Sequence, residues 1–259
     1  MKKIFIQGIN YDEKSSFQKG SRFAPQAIRE ALHSGSSNYF TEDVVSIENP
    51  SIEDQGDFEI KEYFDIEKIT RSNLGDGNKI LTLGGDHSIT FPILKAFHEV
   101  YSKIDILHID AHADLYEEFE GDKYSHACPF ARIMEKKLAS RLVQVGIRTL
   151  NTHQLEQAER YHVEIHEMKS LNLKNIPEFK NPLYISVDMD GIDPAYAPGV
   201  SHQEPGGLSS RQVLDLIQSI DAHVIGADIV EYNPKIDVQN MTAFLGVKIL
   251  KELLGKMMS

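Results

Sequence analysis

The feature that most constrains this sequence is a series of short apolar runs with little or no polar face. KILTLGG (79–85), IDILHID (104–110) and PLYISVDMD (182–190) are apolar on both sides of an extended chain for most of their length. Strands of this kind are typical of a parallel sheet that helices cover on both faces. Segments with helical periodicity lie between the runs, as the crossover connections of a parallel sheet require. The sequence therefore predicts an α/β fold.

The predicted elements alternate along nearly the whole chain. We expect strands over 3–9, 79–85, 104–110, 142–148, 182–190 and 222–232. We expect helices over 24–32, 90–101, 129–141, 211–220 and 238–258. The acidic stretch 41–78 has no clear period and predicts surface loops with a short helix. No composition shift or linker divides the chain, so one α/β domain is expected.

Composition narrows the possible partners and compartments. The chain has 27 Lys+Arg and 39 Asp+Glu, and its formal net charge of −12 argues against nucleic acid and against an anionic membrane surface. The single cysteine, Cys128, excludes an internal disulfide framework and suits a reducing cytosol. The first apolar stretch is too short and polar for a signal peptide, and no run approaches the roughly 18 apolar residues that span a membrane. We therefore expect a soluble cytoplasmic protein.

Charged side chains occur where three of the predicted strands end. DAHAD (110–114) closes one strand, VDMD (187–190) closes a second, and GGDH (84–87) follows a third. Sites in open α/β sheets form at the carboxyl ends of the strands. The i, i+2 spacing within DAHAD and VDMD also lets alternate side chains point the same way. We expect these groups to meet at one edge of the sheet.

Such a cluster predicts a metal centre. Four carboxylates at one edge would repel one another, and an unpaired buried charge is costly. Two divalent cations that share bridging carboxylates would resolve this, whereas six ligands are too many for one tetrahedral zinc. Oxygen ligands with two imidazoles suit Mn²⁺, and Zn, Co, Ni or Fe stay open. Taken singly, each acid could also be a turn or cap residue. The candidates are His87, Asp110, His112, Asp114, Asp188 and Asp190.

Four motifs, in order, resemble the ureohydrolases, the family of arginases, agmatinases and their relatives. They are GGDHS (84–88), DAHAD (110–114), SVDMDGIDPAYAPG (186–199) and GADIVEYNP (226–234). The N-terminal KGSRFAPQAIREAL (19–32) also looks like the family's first helix. The resemblance implies a three-layer α/β/α fold around a mainly parallel eight-stranded sheet. It also implies a single ureohydrolase domain over 1–259, assembled as trimers or hexamers.

The resemblance implies two Mn²⁺ ions per subunit and assigns their ligands. The first ion would be held by His87, Asp110, Asp114 and Asp188. The second would be held by Asp110, His112, Asp188 and Asp190. Asp110 and Asp188 would therefore bridge the two ions.

The implied chemistry is hydrolysis of a guanidinium C–N bond with release of urea, by water activated between the two metals. Asp114 would orient that water. His126, in KYSHACPF (123–130), aligns with the family's proton-shuttling histidine. Glu231 matches the family's guanidinium-binding glutamate, because a planar carboxylate can pair with a planar guanidinium.

The substrate is expected to be L-arginine, because 118–148 and 197–217 look most like the plant-type arginases. Agmatine or another guanidino compound stays open, since His202, Asn151 and the loop 115–124 cannot be assigned contacts to the substrate tail. A formimidoylglutamase is disfavoured because the DxxDP and VEYNP patterns are both present. A one-zinc deacetylase of related fold and a non-catalytic metal-binding protein are the remaining alternatives.

Overall fold

An eight-stranded parallel sheet forms the centre of the molecule. The computed structural model describes residues 2–75 and 77–259. The strands are β1 (Ile4–Asn10), β2 (Ile52–Glu59), β3 (Lys79–Leu83), β4 (Asp105–Ile109), β5 (Arg141–Ile147), β6 (Glu164–Glu167), β7 (Leu183–Asp188) and β8 (Val224–Val230). Their order across the sheet is β2-β1-β3-β8-β7-β4-β5-β6. Every pairing in the sheet is parallel.

Helices cover both faces of this sheet and create two apolar cores. They are α1 (Ala24–Leu32), α2 (Asp65–Leu74), α3 (Thr90–Val100), α4 (Pro129–Glu135), α5 (Thr152–Tyr161), α6 (Ser210–Ser219) and α7 (Met241–Met258). One core contains apolar side chains of α1, α6 and α7, and the other contains those of α2, α3, α4 and α5. The predicted three-layer α/β/α fold is therefore confirmed.

The strands supply both cores by alternation. On β3, Leu81 and Leu83 enter the first core and Ile80 enters the second. Both sides of the strand are buried, which is why the run is continuously apolar instead of alternating with polar residues. The positions of the helix starts also follow from sequence, since α4 begins at Pro129 and Ser209 forms a capping box for α6.

Several element boundaries differ from the sequence-based expectation. The helix expected over 129–141 ends at Glu135, because Lys137 adopts φ 56° and turns the chain out of the helix. The stretch 41–78 contains the expected short helix, α2, but also the strand β2, which was not expected. α5 and β6 were not predicted either. Within the described ranges, no helix is both long enough and apolar enough to cross a bilayer. That residues 1–259 form a single domain stays a prediction.

Candidate metal centre and active site

The candidate site lies over the carboxyl ends of four neighbouring strands, β3, β8, β7 and β4. His87 begins a short 3₁₀ turn after β3, and Glu231 directly follows β8. Asp188 is the last residue of β7, and Asp110 directly follows β4. Parallel pairing aligns these strand ends, so the sheet itself brings the side chains together.

His87 lies at the centre of three carboxylates. Its Nδ1 is 3.1 Å from Asp110 Oδ2, 3.2 Å from Asp114 Oδ2 and 3.0 Å from Asp188 Oδ2. His87 is fully buried, and its Nδ1 forms no hydrogen bond within the described residues. A buried nitrogen that faces three carboxylate oxygens without a hydrogen bond fits a shared cation. The structure thus brings together the four residues expected to bind the first ion.

A second group adjoins the first through Asp110. His112 Nδ1 lies 3.4 Å from Asp110 Oδ1 and 3.1 Å from Asp190 Oδ2. Asp188 Oδ1 accepts a hydrogen bond from the backbone N–H of Asp190 at 2.8 Å, which holds the Asp188 carboxylate against the turn that carries Asp190. Ligand atoms of Asp110, His112 and Asp190 all lie within 4.8 Å of one another, a geometry that could hold a metal ion.

Close backbone packing makes this convergence possible. A Cβ on Gly191 would lie 2.8 Å from the backbone nitrogen of Asp110 and 2.9 Å from its Cα. Only glycine allows the turn after β7 to approach the end of β4 so closely. Asp114 and Glu231 adopt φ values of 51° and 62°, in the left-handed region that non-glycine residues seldom occupy. Backbone strain of this kind is common at functional sites.

The electrostatics of the cluster favour positive charge. Burial raises the pKa of Asp188, and the carboxylates of Asp190 and Asp110 raise it further, to well above its usual range. Burial lowers the pKa of His87, but the three facing carboxylates outweigh burial and hold this pKa well above its ordinary value. Divalent cations would also offset the negative charge of these buried carboxylates. The donor atoms and their charge therefore both fit metal binding.

A cavity of about 250 Å³ opens over this cluster, and His126 and Glu231 are among the residues that line it. His126 Nδ1 lies 3.3 Å from Glu231 Oε1. Burial lowers the pKa of His126, but the Glu231 carboxylate outweighs burial and raises it to about 9. His126 is therefore mostly protonated at neutral pH, as a proton donor requires.

Four buried residues that support the cluster were not singled out from the sequence. His108 Nε2 lies 2.7 Å from Asp110 Oδ2, and its Nδ1 lies 2.9 Å from Gln144 Nε2. His87 Nε2 lies 2.9 Å from Ser186 Oγ, which donates to Asp228 Oδ1 at 2.6 Å. His108 shares the i, i+2 period of DAHAD, so extending that pattern by one step toward the N-terminus could have found it.

His202, Asn151 and the loop 115–124, whose contacts to a substrate tail could not be assigned from the sequence, have different surroundings. The His202 ring stacks on the His126 ring, with centroids 5.2 Å apart. Asn151 caps α5 and donates to the Tyr116 hydroxyl at 2.5 Å. Tyr116 and Phe119 bring the loop 115–124 to the cavity wall. His202 therefore lies beside the candidate proton donor, whereas Asn151 reaches the cavity through Tyr116.

Comparison with known proteins identifies the relatives of this chain. A model described as "Arginase family" matches residues 2–255. The chain is 43% identical to a mitochondrial arginase of Medicago truncatula, over 97% of this chain and 81% of that protein. A solved arginase from M. truncatula has a TM-score of 0.92 at 40% identity, covering 99% of this chain and 87% of the other. An agmatine ureohydrolase of Thermoplasma volcanium has a TM-score of 0.88 at 30% identity, covering 99% and 90%.

The relatives also correct the predicted location. The M. truncatula arginase is named mitochondrial, and two arginases of Arabidopsis thaliana are named mitochondrial and chloroplastic/mitochondrial. These names contradict the expected cytoplasmic location, which is therefore wrong. The expectation rested on cysteine content and on the lack of a recognisable secretory signal peptide or membrane-spanning run. Neither feature distinguishes the cytosol from the reducing interior of an organelle.

Proposed function

The chain belongs to the arginase family, and on that premise we propose that it hydrolyses L-arginine to L-ornithine and urea. As a member of this family it is a ureohydrolase that acts on guanidino compounds. One observation carries the assignment of roles within the site: the Glu231 carboxylate lies in the same cavity as the clustered carboxylates and 3.3 Å from His126. A carboxylate that can bind a cation (Glu231), a proton donor (His126) and the candidate metal centre therefore lie in one cavity.

Glu231 would bind the guanidinium group of the substrate. Burial raises the pKa of Glu231, but contact with His126 outweighs burial and lowers it, so the carboxylate stays ionised. Its Oε1 accepts a hydrogen bond from the backbone N–H of His87 at 2.8 Å, which fixes the position of this oxygen. A fixed, planar and ionised carboxylate suits parallel hydrogen bonds to a planar guanidinium.

Two divalent cations, with Mn²⁺ as the proposed metal, would be held by the clustered side chains. The first would be held by His87, Asp110, Asp114 and Asp188. The second would be held by Asp110, His112, Asp188 and Asp190. When bound, such cations supply a water of lowered pKa and offset the charge of four buried carboxylates.

Asp114 and His126 would handle the protons of the reaction. The Asp114 carboxylate can accept a hydrogen bond from the attacking water and so orient it toward the guanidinium carbon. The amine that leaves is strongly basic and must receive a proton as the C–N bond breaks. His126 faces the guanidinium-binding Glu231 and can donate that proton from Nδ1.

The lining of the cavity favours a substrate with a cationic tail and keeps agmatine as the alternative. Among the residues that the structure describes, neither Lys nor Arg lines the cavity, whereas Glu204 does. Glu204 suits an ammonium group, which arginine and agmatine both carry. The α-carboxylate of arginine would need neutral donors instead, such as Thr149 and Gln154, which also line the cavity. Agmatine has no carboxylate and would not need them.

The assembly is proposed to be a homo-oligomer, either a trimer or a hexamer, as the family implies. Exposed apolar side chains such as Val44, Tyr196, Val238 and Met241 offer surface that an interface could bury. Light scattering after size exclusion would give the mass of the particle. A monomer would contradict the proposal.

A urea-release assay tests the proposed function. Protein loaded with Mn²⁺ is offered L-arginine, agmatine, 4-guanidinobutyrate and free guanidine in separate reactions. We expect urea from arginine. Urea from agmatine but not from arginine would change only the substrate, and no urea from any of the four would refute the mechanism. Metal analysis of the same sample should find two ions per chain, whereas one would favour the deacetylase alternative.

The variant His126→Asn tests the proposed role of His126 as the proton donor. Asparagine retains a polar side chain but cannot deliver a proton, so the rate should fall about 10²- to 10⁴-fold while both metals remain bound. Metal content is measured on the same preparation. An unchanged rate would remove His126 from its proposed role.

A further inference from the structure

Both ring nitrogens of His126 have a polar partner: Glu231 at Nδ1 and Ser16 at Nε2. Nδ1 lies 3.3 Å from Glu231 Oε1, and Nε2 lies 2.9 Å from Ser16 Oγ. Ser16 belongs to the segment between β1 and α1, is exposed, and lines the same cavity. The imidazole of His126 is mostly buried, so Ser16 lies between this ring and solvent.

The segment that carries Ser16 is anchored to the site by its neighbour Lys14. The backbone N–H of Lys14 donates to Asp86 Oδ2 at 2.9 Å, and its Nζ lies 2.5 Å from Asp122 Oδ2. The backbone N–H of His126 donates to the carbonyl of Lys14 at 3.4 Å. Three contacts of Lys14 therefore fix the backbone of this segment, and the fold places Ser16 beside His126.

We propose that Ser16 is a positioning residue for His126, whose hydroxyl keeps the imidazole turned with Nδ1 toward Glu231 and the reacting C–N bond. The inference rests on the proposed function, in which His126 donates the proton from Nδ1. An imidazole can turn over by rotation about its Cβ–Cγ bond, which moves Nδ1 away from the face it occupied. A hydrogen-bond partner at Nε2 favours one of the two orientations.

A hydroxyl is suited to this task because it can both donate and accept a hydrogen bond. It accepts from Nε2–H when His126 carries two protons, it continues to accept from Nε2–H after Nδ1 has lost its proton, and it donates to Nε2 in the other neutral tautomer, in which Nδ1 keeps the proton. Ser16 can therefore hold the ring in the same orientation before and after the proton leaves Nδ1. The stacked His202 ring restricts tilting of the imidazole but provides no such contact to Nε2.

The test compares Ser16→Ala, Ser16→Thr and the control Ser15→Ala. Ser15 lies in the same segment, and its Oγ has no hydrogen-bond partner in the described part of the chain. For the Mn²⁺-loaded proteins, Ser16→Ala should lower kcat about 10-fold and leave KM for arginine nearly unchanged, because a misplaced catalytic group affects the chemical step. Ser16→Thr should restore most of the rate, since it retains the hydroxyl, and Ser15→Ala should match the wild type.

A second measurement uses metal-free protein labelled with ¹⁵N at histidine. Long-range ¹H–¹⁵N spectra distinguish protonated from unprotonated ring nitrogens. At a pH above the pKa of His126, where the ring is neutral, Ser16→Ala should shift the His126 signals and change the proportions of its tautomers, whereas Ser15→Ala should not. This readout does not depend on turnover, so a wild-type protein that releases no urea would refute the proposed function without touching the contact.

Both results are required. Unchanged His126 signals in Ser16→Ala would overturn the inference whatever the rate does, because the hydroxyl would then not hold the ring. Shifted signals with an unchanged kcat would overturn it as well, and so would a rise in KM alone, which would assign Ser16 to substrate binding.

Discussion

Asp110 is the residue on which the proposed metal centre most depends. Its side chain is fully buried, with Oδ2 3.1 Å from His87 Nδ1 and Oδ1 3.4 Å from His112 Nδ1. Oδ2 thus faces the histidine of the first proposed ligand set, and Oδ1 faces the histidine of the second. We predict that Asp110→Asn binds neither Mn²⁺ ion, because an amide would remove the bridging charge and present at most one oxygen. Metal analysis after gel filtration measures the loss.

His112→Asn is the matched comparison, because His112 belongs only to the second group. This variant should retain about one ion per chain under the same conditions, since the donors around His87 are intact. Retention of two ions by Asp110→Asn would contradict its role as a bridge. Loss of both ions from His112→Asn would show that the two groups bind as one unit.

The candidate site could be predicted from the sequence only where its residues form a recognisable spacing. The i, i+2 spacing of charged or metal-binding side chains in DAHAD after β4 and in VDMD at the end of β7 stands out, because a strand end seldom carries several such groups together. Ser186 and Asp228 support His87 from neighbouring strands, but singly each reads as an ordinary polar residue. Ser16 meets His126 across 110 positions of sequence, and only the folded chain shows that contact.

At the scale of elements, the two strands that sequence patterns missed are the two edges of the sheet. β2 and β6 each have a single neighbour, and neither contains a fully buried side chain. Their sequences, IEDQGDFE and EIHE, are therefore polar, unlike the apolar runs of the central strands. Charges on an edge also discourage pairing with other chains. The helix α5 was missed for a related reason, since it buries Gln154 and Gln157 instead of an apolar stripe.

The packing of the turn after β7 against the end of β4 gives a prediction at this scale. In Gly191→Ala the new methyl group would lie 2.8 Å from the backbone nitrogen of Asp110, closer than any real contact allows. The ends of β7 and β4 must then separate. We expect a loss of about 1–3 kcal/mol in the free energy of unfolding and weaker Mn²⁺ binding, measured by denaturant titration and by metal titration.

Gly246→Ala is the control for that substitution. Gly246 lies inside α7, where the nearest atoms to an added Cβ belong to the flexible Ile28 side chain, 3.4 Å away. Alanine is a better helix former than glycine by up to about 1 kcal/mol, so stability should be equal or slightly higher. Unchanged stability and metal affinity in Gly191→Ala would contradict this prediction. The close packing of Gly191 against Asp110 would then not be needed to hold the acids of DAHAD and VDMD together.

For the whole molecule, the core and the candidate metal centre share the same strands. β3, β8, β7 and β4 are contiguous in the sheet and supply apolar side chains to both cores, and the side chains of the candidate site lie at or after the ends of these strands. Repulsion among those acids therefore acts at the centre of the fold. Cations that bind there should stabilise the whole structure and not only the loops around the site.

Thermal unfolding tests that coupling. At a free Mn²⁺ concentration 100 times the Kd of each site, binding only to the folded state would contribute about 2.7 kcal/mol per ion, so two ions correspond to roughly 10–20 °C in Tm for a chain of this size. We expect the chelated protein to unfold that much earlier than the Mn²⁺-loaded protein, by calorimetry with light scattering to exclude aggregation. Asp110→Asn should show almost no shift, because the bridge is absent. A shift as large in Asp110→Asn as in the wild type would place the stabilising ions elsewhere, among the many surface acids of a protein with a net charge of −12.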